Sequence, residues 1–272
     1  MLRVALGAAF AAGIAAAAWL AGSLSASGAR AATLLGTVAA LAGWRWALLL
    51  VAYFVSSSVL SRLGRATKQA RTAGIIQKAG ARDARQVWAN GGVFGVAAVV
   101  AAGSVGTPAL FAVLAGIGAL SASAADTWAT EIGTWRGGIP RSVRDWRPVA
   151  PGTSGAVTAW GTLGMCSGAL GVSGLGVWLL QPRAITPVTA TALLAVAGAA
   201  GAMIDTVLGA WWQSRRTCPA CAVSTEQLVH TCGTPTVRSG GLNGIDNDVV
   251  NAVCTLVGAL LAVGTAASLL SA

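Results

Sequence analysis

The sequence predicts an all-α, polytopic transmembrane helix bundle of about seven to eight spans with three long cytoplasmic loops. Three observations predict it. Of 272 residues, 55% are hydrophobic and 10% charged, against about 25% charged in an average soluble domain. Mean hydropathy is +0.71. The apolar residues also gather into runs near the roughly 20 residues a helix needs to cross the hydrocarbon core. An ordinary soluble enzyme and a disordered chain are excluded on this composition. The 36 glycines follow no Gly-X-Y period, which excludes collagen. No internal repeat or linker divides the chain, so 1–272 reads as a single integral membrane domain.

In order, the runs fall at 2–21, 31–43, 46–62, 90–106, 108–131, 155–180, 187–212 and 248–270. Run 2–21 follows Arg3 and ends in small residues, as a signal peptide would, but its length favours a retained span. Run 31–43 is short and is broken from 46–62 by Gly43-Trp44-Arg45-Trp46. The turns near 104–108 and 181–186 are short, and only Arg183 charges them. Gly198, Gly201, Ala202 and Gly209 form a small-residue seam suited to close helix packing. Trp44, Trp46, Trp88, Trp178, Trp211 and Trp212 lie near run ends, where an aromatic belt belongs.

Of the 18 basic residues, 14 fall in loops 62–87, 134–154 and 213–247. Two spans separate successive loops, so all three share a face, and the positive-inside rule makes it cytoplasmic, as in an inner cell membrane. The net charge of +10 is read this way rather than as a nucleic-acid surface. If loop 62–87 is helical, Lys78, Arg82 and Arg85 form one basic face.

Asp83, Asp145 and Glu226 read as solvated partners of loop arginines. The other acids, Asp126, Glu131, Asp205, Asp246 and Asp248, sit near the cytoplasmic ends of spans. At a span centre an acid costs roughly 2.5–3.5 kcal/mol, so such residues have a partner or a task. Capping or interhelical hydrogen bonding is the plain alternative, above all for Asp246 and Asn247 at a helix start. Asp126 and Glu131 are about 140° apart around a helix, so they flank one site only across a bend or a ligand. Carboxylates with Asn, Thr and Ser oxygens suit Mg²⁺, and clustered Arg and Lys suit phosphate. Together they describe metal-assisted phosphoryl transfer at the membrane surface. Without the acids, the cations need only set topology and touch anionic lipid. Walker A, dinucleotide-binding and nucleophile-elbow glycine patterns are all missing, so a nucleotide would bind without a P-loop.

Cys218-Pro-Ala-Cys221 and His230-Thr-Cys232 place four ligands within fifteen residues. A structural Cys₃His zinc site is one reading, and free or redox-sensitive thiols are the other. Cys166 and Cys254 read as packing residues inside spans.

Six segments then coincide in order with one family. They are Gly-Arg-Ala-Thr-Lys at 64–68, Arg-Gln-Val-Trp-Ala-Asn-Gly-Gly at 85–92, Asp-Thr-Trp-Ala-Thr-Glu at 126–131, Pro-Gly-Thr-Ser-Gly at 151–155, Asp-Thr-Val-Leu-Gly at 205–209 and Asn-Asp-Val-Val-Asn at 247–251. From about residue 31 to the C-terminus the chain resembles the integral membrane family termed domain of unknown function 92. That family includes phytyl-phosphate kinases of tocopherol synthesis and transmembrane protein 19 relatives. Ala156 stands where a second glycine is expected, and Thr206 where serine is common. The resemblance implies phosphorylation of an isoprenoid monophosphate to the diphosphate, with CTP or a related nucleotide as donor.

On chemical grounds, Asp126, Glu131, Asp205 and Asp248 are the candidate catalytic and Mg²⁺-holding residues. Lys68, Arg82, Arg85, Asn90, Thr153, Ser154, Gly155, Asn247 and Asn251 are the candidates for phosphate. The lipid tail would lie between small-residue helices. Two alternatives remain: an isoprenoid or lipid transporter or flippase, which would carry its acids near the midplane, and a CTP-dependent lipid cytidylyltransferase, which would release pyrophosphate.

Overall fold

A computed structural model describes residues 2–76 and 80–271, so Lys78 lies outside the described residues. Eight long helices cross the bundle: α1 (Leu2–Leu20), α2 (Ala26–Ala42), α3 (Trp44–Arg62), α5 (Ala84–Gly103), α6 (Gly106–Arg136), α7 (Ala159–Leu180), α8 (Pro187–Trp211) and α9 (Asn247–Ser271), with a short α4 (Arg65–Thr72) between α3 and α5. Seven of them are long and apolar enough to cross a membrane, and α2 is a shorter apolar helix. The chain is a multi-pass integral membrane protein.

Oxygen-bearing residues start the helices. Ser25 caps α2, Thr158 caps α7 and Thr186 caps α8 just ahead of Pro187 at its first turn. Asp83 and Gln86 form a capping box at the head of α5. The break between α2 and α3 narrows to Gly43 alone, whose φ of +140° few other residues tolerate. Ser25 starts α2 five residues ahead of the predicted run, and α6 continues to Arg136, beyond the expected end at 131.

Helix α6 is the axis of the bundle, touching α3, α4, α5, α7, α8 and α9. Glycines let the others approach it. A Cβ on Gly164 would lie 2.5 Å from the Trp128 carbonyl, and one on Gly258 would lie 2.7 Å from that of Gly118. The seam on α8 behaves as its composition implies, since a Cβ on Gly198 would meet Ser121 Oγ at 2.2 Å. Ser121 itself joins three helices, reaching the Ala169 carbonyl at 3.1 Å and Ser173 Oγ at 2.9 Å on α7, and the Leu194 carbonyl at 3.4 Å on α8. Farther from the loops, Trp46, Leu49, Phe94, Leu114, Ile117 and Leu194 form the apolar core. Trp46 is therefore a correction to the expected belt: it is buried, with its ring centroid 5.1 Å from that of Phe94. Cys254 is buried as expected, whereas Cys166 faces outward.

The three long loops do share one face. Leu24 bridges Arg82, Gly133 meets Gly161, Gly155 meets Ala210 and Arg85 reaches Asp246, so the loop-side ends of the helices are held together. The fold is the expected all-α bundle, and its short strands lie within the long loops. The second holds a ladder of β1 (Arg141–Ser142) and β2 (Ala156–Val157). The third holds a three-stranded sheet of β4 (Ser224–Thr225), β3 (Arg215–Thr217) and β5 (Val237–Gly240), in that order. Of the basic helical face expected from Lys78, Arg82 and Arg85, Lys78 lies outside the described residues, Arg82 precedes the Asp83 cap and Arg85 lies on α5.

Candidate functional site: a polar cavity under the loops

A cavity of about 620 Å³ opens among the loop-side helix ends. It brings together Lys68, Arg82, Arg85, Asn90, Asp126, Glu131, Thr153, Ser154, Gly155, Asp205, Asn247, Asp248 and Asn251. Asp126 and Glu131 both line it despite their angular separation on α6. The rise along an α-helix puts Asp126 about 30 Å from Gly106, and Asp205 about 27 Å from Pro187. Asp248 lies in the first turn of α9. Asp126 and Asp205 therefore lie in the loop-side halves of their helices, and Asp248 at the loop-side end of its own.

Within the cavity the charged groups divide by partner. Lys68 is buried, and its Nζ donates to Glu131 Oε2 at 2.5 Å and to the Leu60 and Ser61 carbonyls at 2.7 and 2.9 Å. An ammonium has three N–H bonds, so none remains for a phosphate. The other Glu131 oxygen accepts from Ser61 Oγ at 2.5 Å. Both residues expected to touch metal or phosphate directly are thus engaged with each other, tying the end of α3 to α6. Arg82 approaches Ser58 Oγ at 3.1 Å and Ser61 Oγ at 3.2 Å, and keeps further N–H bonds for an anion. Arg65 lines the same cavity and is exposed, without an ion pair among the described residues. Sequence reading missed it, because nothing separates it from the other loop cations.

Arg85 pairs with Asp246 Oδ2 at 2.9 Å and stands 3.6 Å from Asp248 Oδ2, so part of its charge is used to hold α5 to α9. Asp246 caps α9 by accepting from the Val249 N–H at 3.1 Å. Asn90 is oriented at both ends: Ser123 Oγ donates to its Oδ1 at 2.8 Å, and its Nδ2 donates to the Gln86 carbonyl at 2.9 Å. Because Ser123 gives its proton to Asn90, the Tyr53 hydroxyl 2.7 Å away is the donor in that contact. Asn251 is buried and Asn247 exposed at the rim.

Asp126 and Asp205 differ from the engaged acids. Neither makes an ion pair among the described residues, and Asp205 Oδ2 is buried with no hydrogen-bond partner there. Asp205 lies within electrostatic range of Asp126 and Glu226. A cluster of half-buried carboxylates around an unpartnered oxygen fits a hard cation.

Glu226 is the clearest correction. It is not a solvated loop residue: Ser154 Oγ donates to its Oε1, Gln213 Nε2 donates to the same oxygen at 2.8 Å, and it lines the cavity. Asp83 likewise is a helix cap, while Asp145 keeps its expected arginine, Arg147, at 3.7 Å. Gly155 packs against α8 with φ +77°, where an added Cβ would fall 2.4 Å from that of Ala210. Thr153 folds back on its own turn, donating to the Ala150 carbonyl at 2.7 Å.

Outside the cavity, Cys218, Cys221, His230 and Cys232 bring their ligand atoms within 4.8 Å of one another. Hydrogen bonding with Thr234 and His230 pushes the Cys232 thiol down to about 5, while hydrogen bonding with Cys232 pushes Cys221 up to about 11.

The family described as Integral membrane protein DUF92 matches residues 9–259. The chain belongs to this family. It is 30% identical over 257 residues to Protein PGR of Arabidopsis thaliana, covering 88% of each chain. It is 30% identical over 229 residues to an uncharacterized membrane protein of Synechocystis sp., covering 83% of this chain and 76% of the relative. An uncharacterized membrane protein of Methanocaldococcus jannaschii is 27% identical over 231 residues, covering 81% of this chain and 76% of the relative. No solved structure gives a significant match. Every residue of the cavity lies within the span of this family, which reaches from α1 into α9.

Proposed function

We propose that the DUF92 protein is a membrane-embedded prenyl-phosphate kinase, transferring a phosphoryl group from CTP or another nucleoside triphosphate to an isoprenoid monophosphate. One observation carries the reading. Asp126 and Asp205, carboxylates without cationic partners among the described residues, share a cavity with the cations Arg65 and Arg82 on the loop side of apolar helices. A substrate with a phosphate head and an apolar tail matches that layout, and the family resemblance names the same class.

A non-bridging oxygen of the lipid phosphate attacks the γ-phosphorus of the nucleotide. The new P–O–P linkage forms as the bond to the β–γ bridging oxygen breaks, and the nucleoside diphosphate leaves. The acceptor is already ionised at neutral pH, so no strong base is needed. Asp126 and Asp205 would hold Mg²⁺, with Asp248 beside them. A divalent ion held by these carboxylates would supply positive charge against that developing on the donor phosphates. Arg82 and Arg65 would neutralise the phosphoryl oxygens and keep the two phosphates in line. Lys68 and Glu131 act through position, by fixing Ser61 and with it Arg82. Asn90, held by Ser123, would present its remaining N–H to phosphate. The basic excess of the loop face supports a cytoplasmic site in an inner membrane.

The decisive experiment supplies the purified protein with CTP, Mg²⁺ and phytyl or geranylgeranyl monophosphate. Lipid diphosphate together with CDP supports the kinase. Pyrophosphate release would instead identify a cytidylyltransferase. Failure to turn over any nucleotide and prenyl length, with substrate uptake into liposomes, would identify a transporter.

A further inference from the structure

The loop between α8 and α9 folds as two tight turns facing each other across a small sheet. In the first, which joins β3 to β4, the Cys218 N–H bonds to the Val223 carbonyl at 3.0 Å, and the Ala222 N–H bonds back to the Cys218 carbonyl at 2.8 Å. In the second, the His230 N–H bonds to the Thr234 carbonyl at 3.0 Å and the Gly233 N–H to the His230 carbonyl at 2.8 Å. Each turn carries two candidate ligands, and in each the residue after the second ligand has positive φ: +54° at Ala222 and +84° at Gly233. An alanine held left-handed is unfavourable by itself, so something must hold the turn closed.

Distances between the donors fit a metal. Tetrahedral zinc with Zn–S near 2.3 Å places its sulfurs about 3.8 Å apart. Cys218 Sγ and Cys232 Sγ are 3.6 Å apart, His230 Nδ1 and Cys232 Sγ 3.2 Å, and all four donor atoms lie within 4.8 Å of one another. Three thiols and one imidazole are the donor set zinc favours in a closed, four-coordinate site.

The loop also reaches the other two long loops. From the stretch between the two turns, the Glu226 N–H donates to the Ile75 carbonyl at 2.8 Å, and Gln227 Nε2 donates to the Ile76 carbonyl at 3.1 Å. The Glu226 side chain accepts from Ser154 of the second loop, and a Cβ on Gly74 would sit 3.0 Å from His230 Nε2. Glu226 stands between ligands Cys221 and His230, five and four residues away in sequence.

We propose that Cys218, Cys221, His230 and Cys232 bind one Zn²⁺, and that this structural metal holds Glu226 and the three loops in place around the cavity. Binding takes the three sulfurs as thiolates, releasing to solvent whatever protons they still carry, leaves the imidazole neutral and involves no electron transfer. With four protein ligands the metal has no open position, so its role is positional and separate from the phosphoryl chemistry. The proposal stands whether or not the cavity is a kinase site.

Elemental analysis of the full-length protein, purified in detergent without chelator, should find about one zinc per chain. It should fall at least tenfold in Cys218→Ser and Cys232→Ser and stay unchanged in Glu226→Gln. Should the serine variants fail to fold, Co²⁺ added to stripped wild-type protein should give thiolate charge-transfer and tetrahedral d–d bands that zinc erases. Coupling to the cavity is read by a Ser154→Cys, Glu226→Cys double variant, whose oxidative cross-linking should slow at least tenfold when zinc is removed. Absence of zinc with no Co²⁺ spectrum, or a Cys218–Cys232 disulfide in the isolated protein, would overturn the metal. A cross-linking rate indifferent to zinc would overturn the positioning role.

Discussion

Lys68 Nζ and Glu131 Oε2 meet at 2.5 Å where α4 crosses α6, 63 positions apart in the chain. The ammonium also neutralises the carbonyl end of α3. Removing one member leaves the other buried without a counter-charge, which costs about 3–5 kcal/mol. Glu131→Ala and Lys68→Ala should therefore lower thermal stability in detergent sharply. The double change Lys68→Met, Glu131→Leu should recover much of it, since well-packed apolar pairs often replace buried ion pairs. Additive losses in that double variant would deny the pairing.

Asp205 shows the opposite balance. Its Oδ2 is buried without a partner among the described residues, within range of the charges of Asp126 and Glu226. Asp205→Asn removes a like charge from the cluster, so the melting temperature should rise, by roughly 2–4 °C per kcal/mol gained in a chain of this size. Binding of Mn²⁺ as a stand-in for Mg²⁺ should weaken tenfold or more. Unchanged Mn²⁺ affinity would remove Asp205 from the metal site.

Asp126→Asn should leave insertion and melting nearly intact while reducing lipid-diphosphate formation by about 100-fold or more, the scale seen when a group aimed at developing charge is lost. Full turnover in that variant would exclude Asp126 from the chemistry.

Gly155→Ala tests the approach of the second loop to α8. Left-handed backbone alone costs an alanine about 1–2 kcal/mol, and the new methyl would press on Ala210. Ser154 should then lose its hold on Glu226, seen as slower cross-linking between cysteines placed at 154 and 226. A variant as stable as the parent would show that the loop can move aside.

Topology is checked with membrane-impermeant thiol labels. On a background lacking the native cysteines, Arg144→Cys and Arg65→Cys should label from one side of sealed vesicles and Arg183→Cys from the other. Labelling of all three from one side would refute the shared loop face.

The spans were legible because length and hydropathy decide them, and six of the eight predicted starts lie within four residues of the helix starts. Trp46 was misplaced because hydropathy records nearness to a span end but not which way the ring turns. The five short strands escaped because two- to four-residue ladders leave no alternation to read. The same limit governs the site. Asp126, Asp205 and Asp248 stood out as acids within apolar sequence. Glu226 resembled any loop glutamate until the turns carrying the cysteines delivered it to the cavity. The engagement of Lys68 by Glu131 is a long-range fact that no local pattern contains.

The central place of α6 has a consequence for biosynthesis. Its neighbours α7, α8 and α9 are made after it, yet they cover Ser121 and approach the segment that carries Asp126. A nascent chain that stopped after α6 would present Ser121 to lipid without the partners that α7 and α8 bring. The polar centre of α6 is therefore satisfied only once α7 and α8 have joined it.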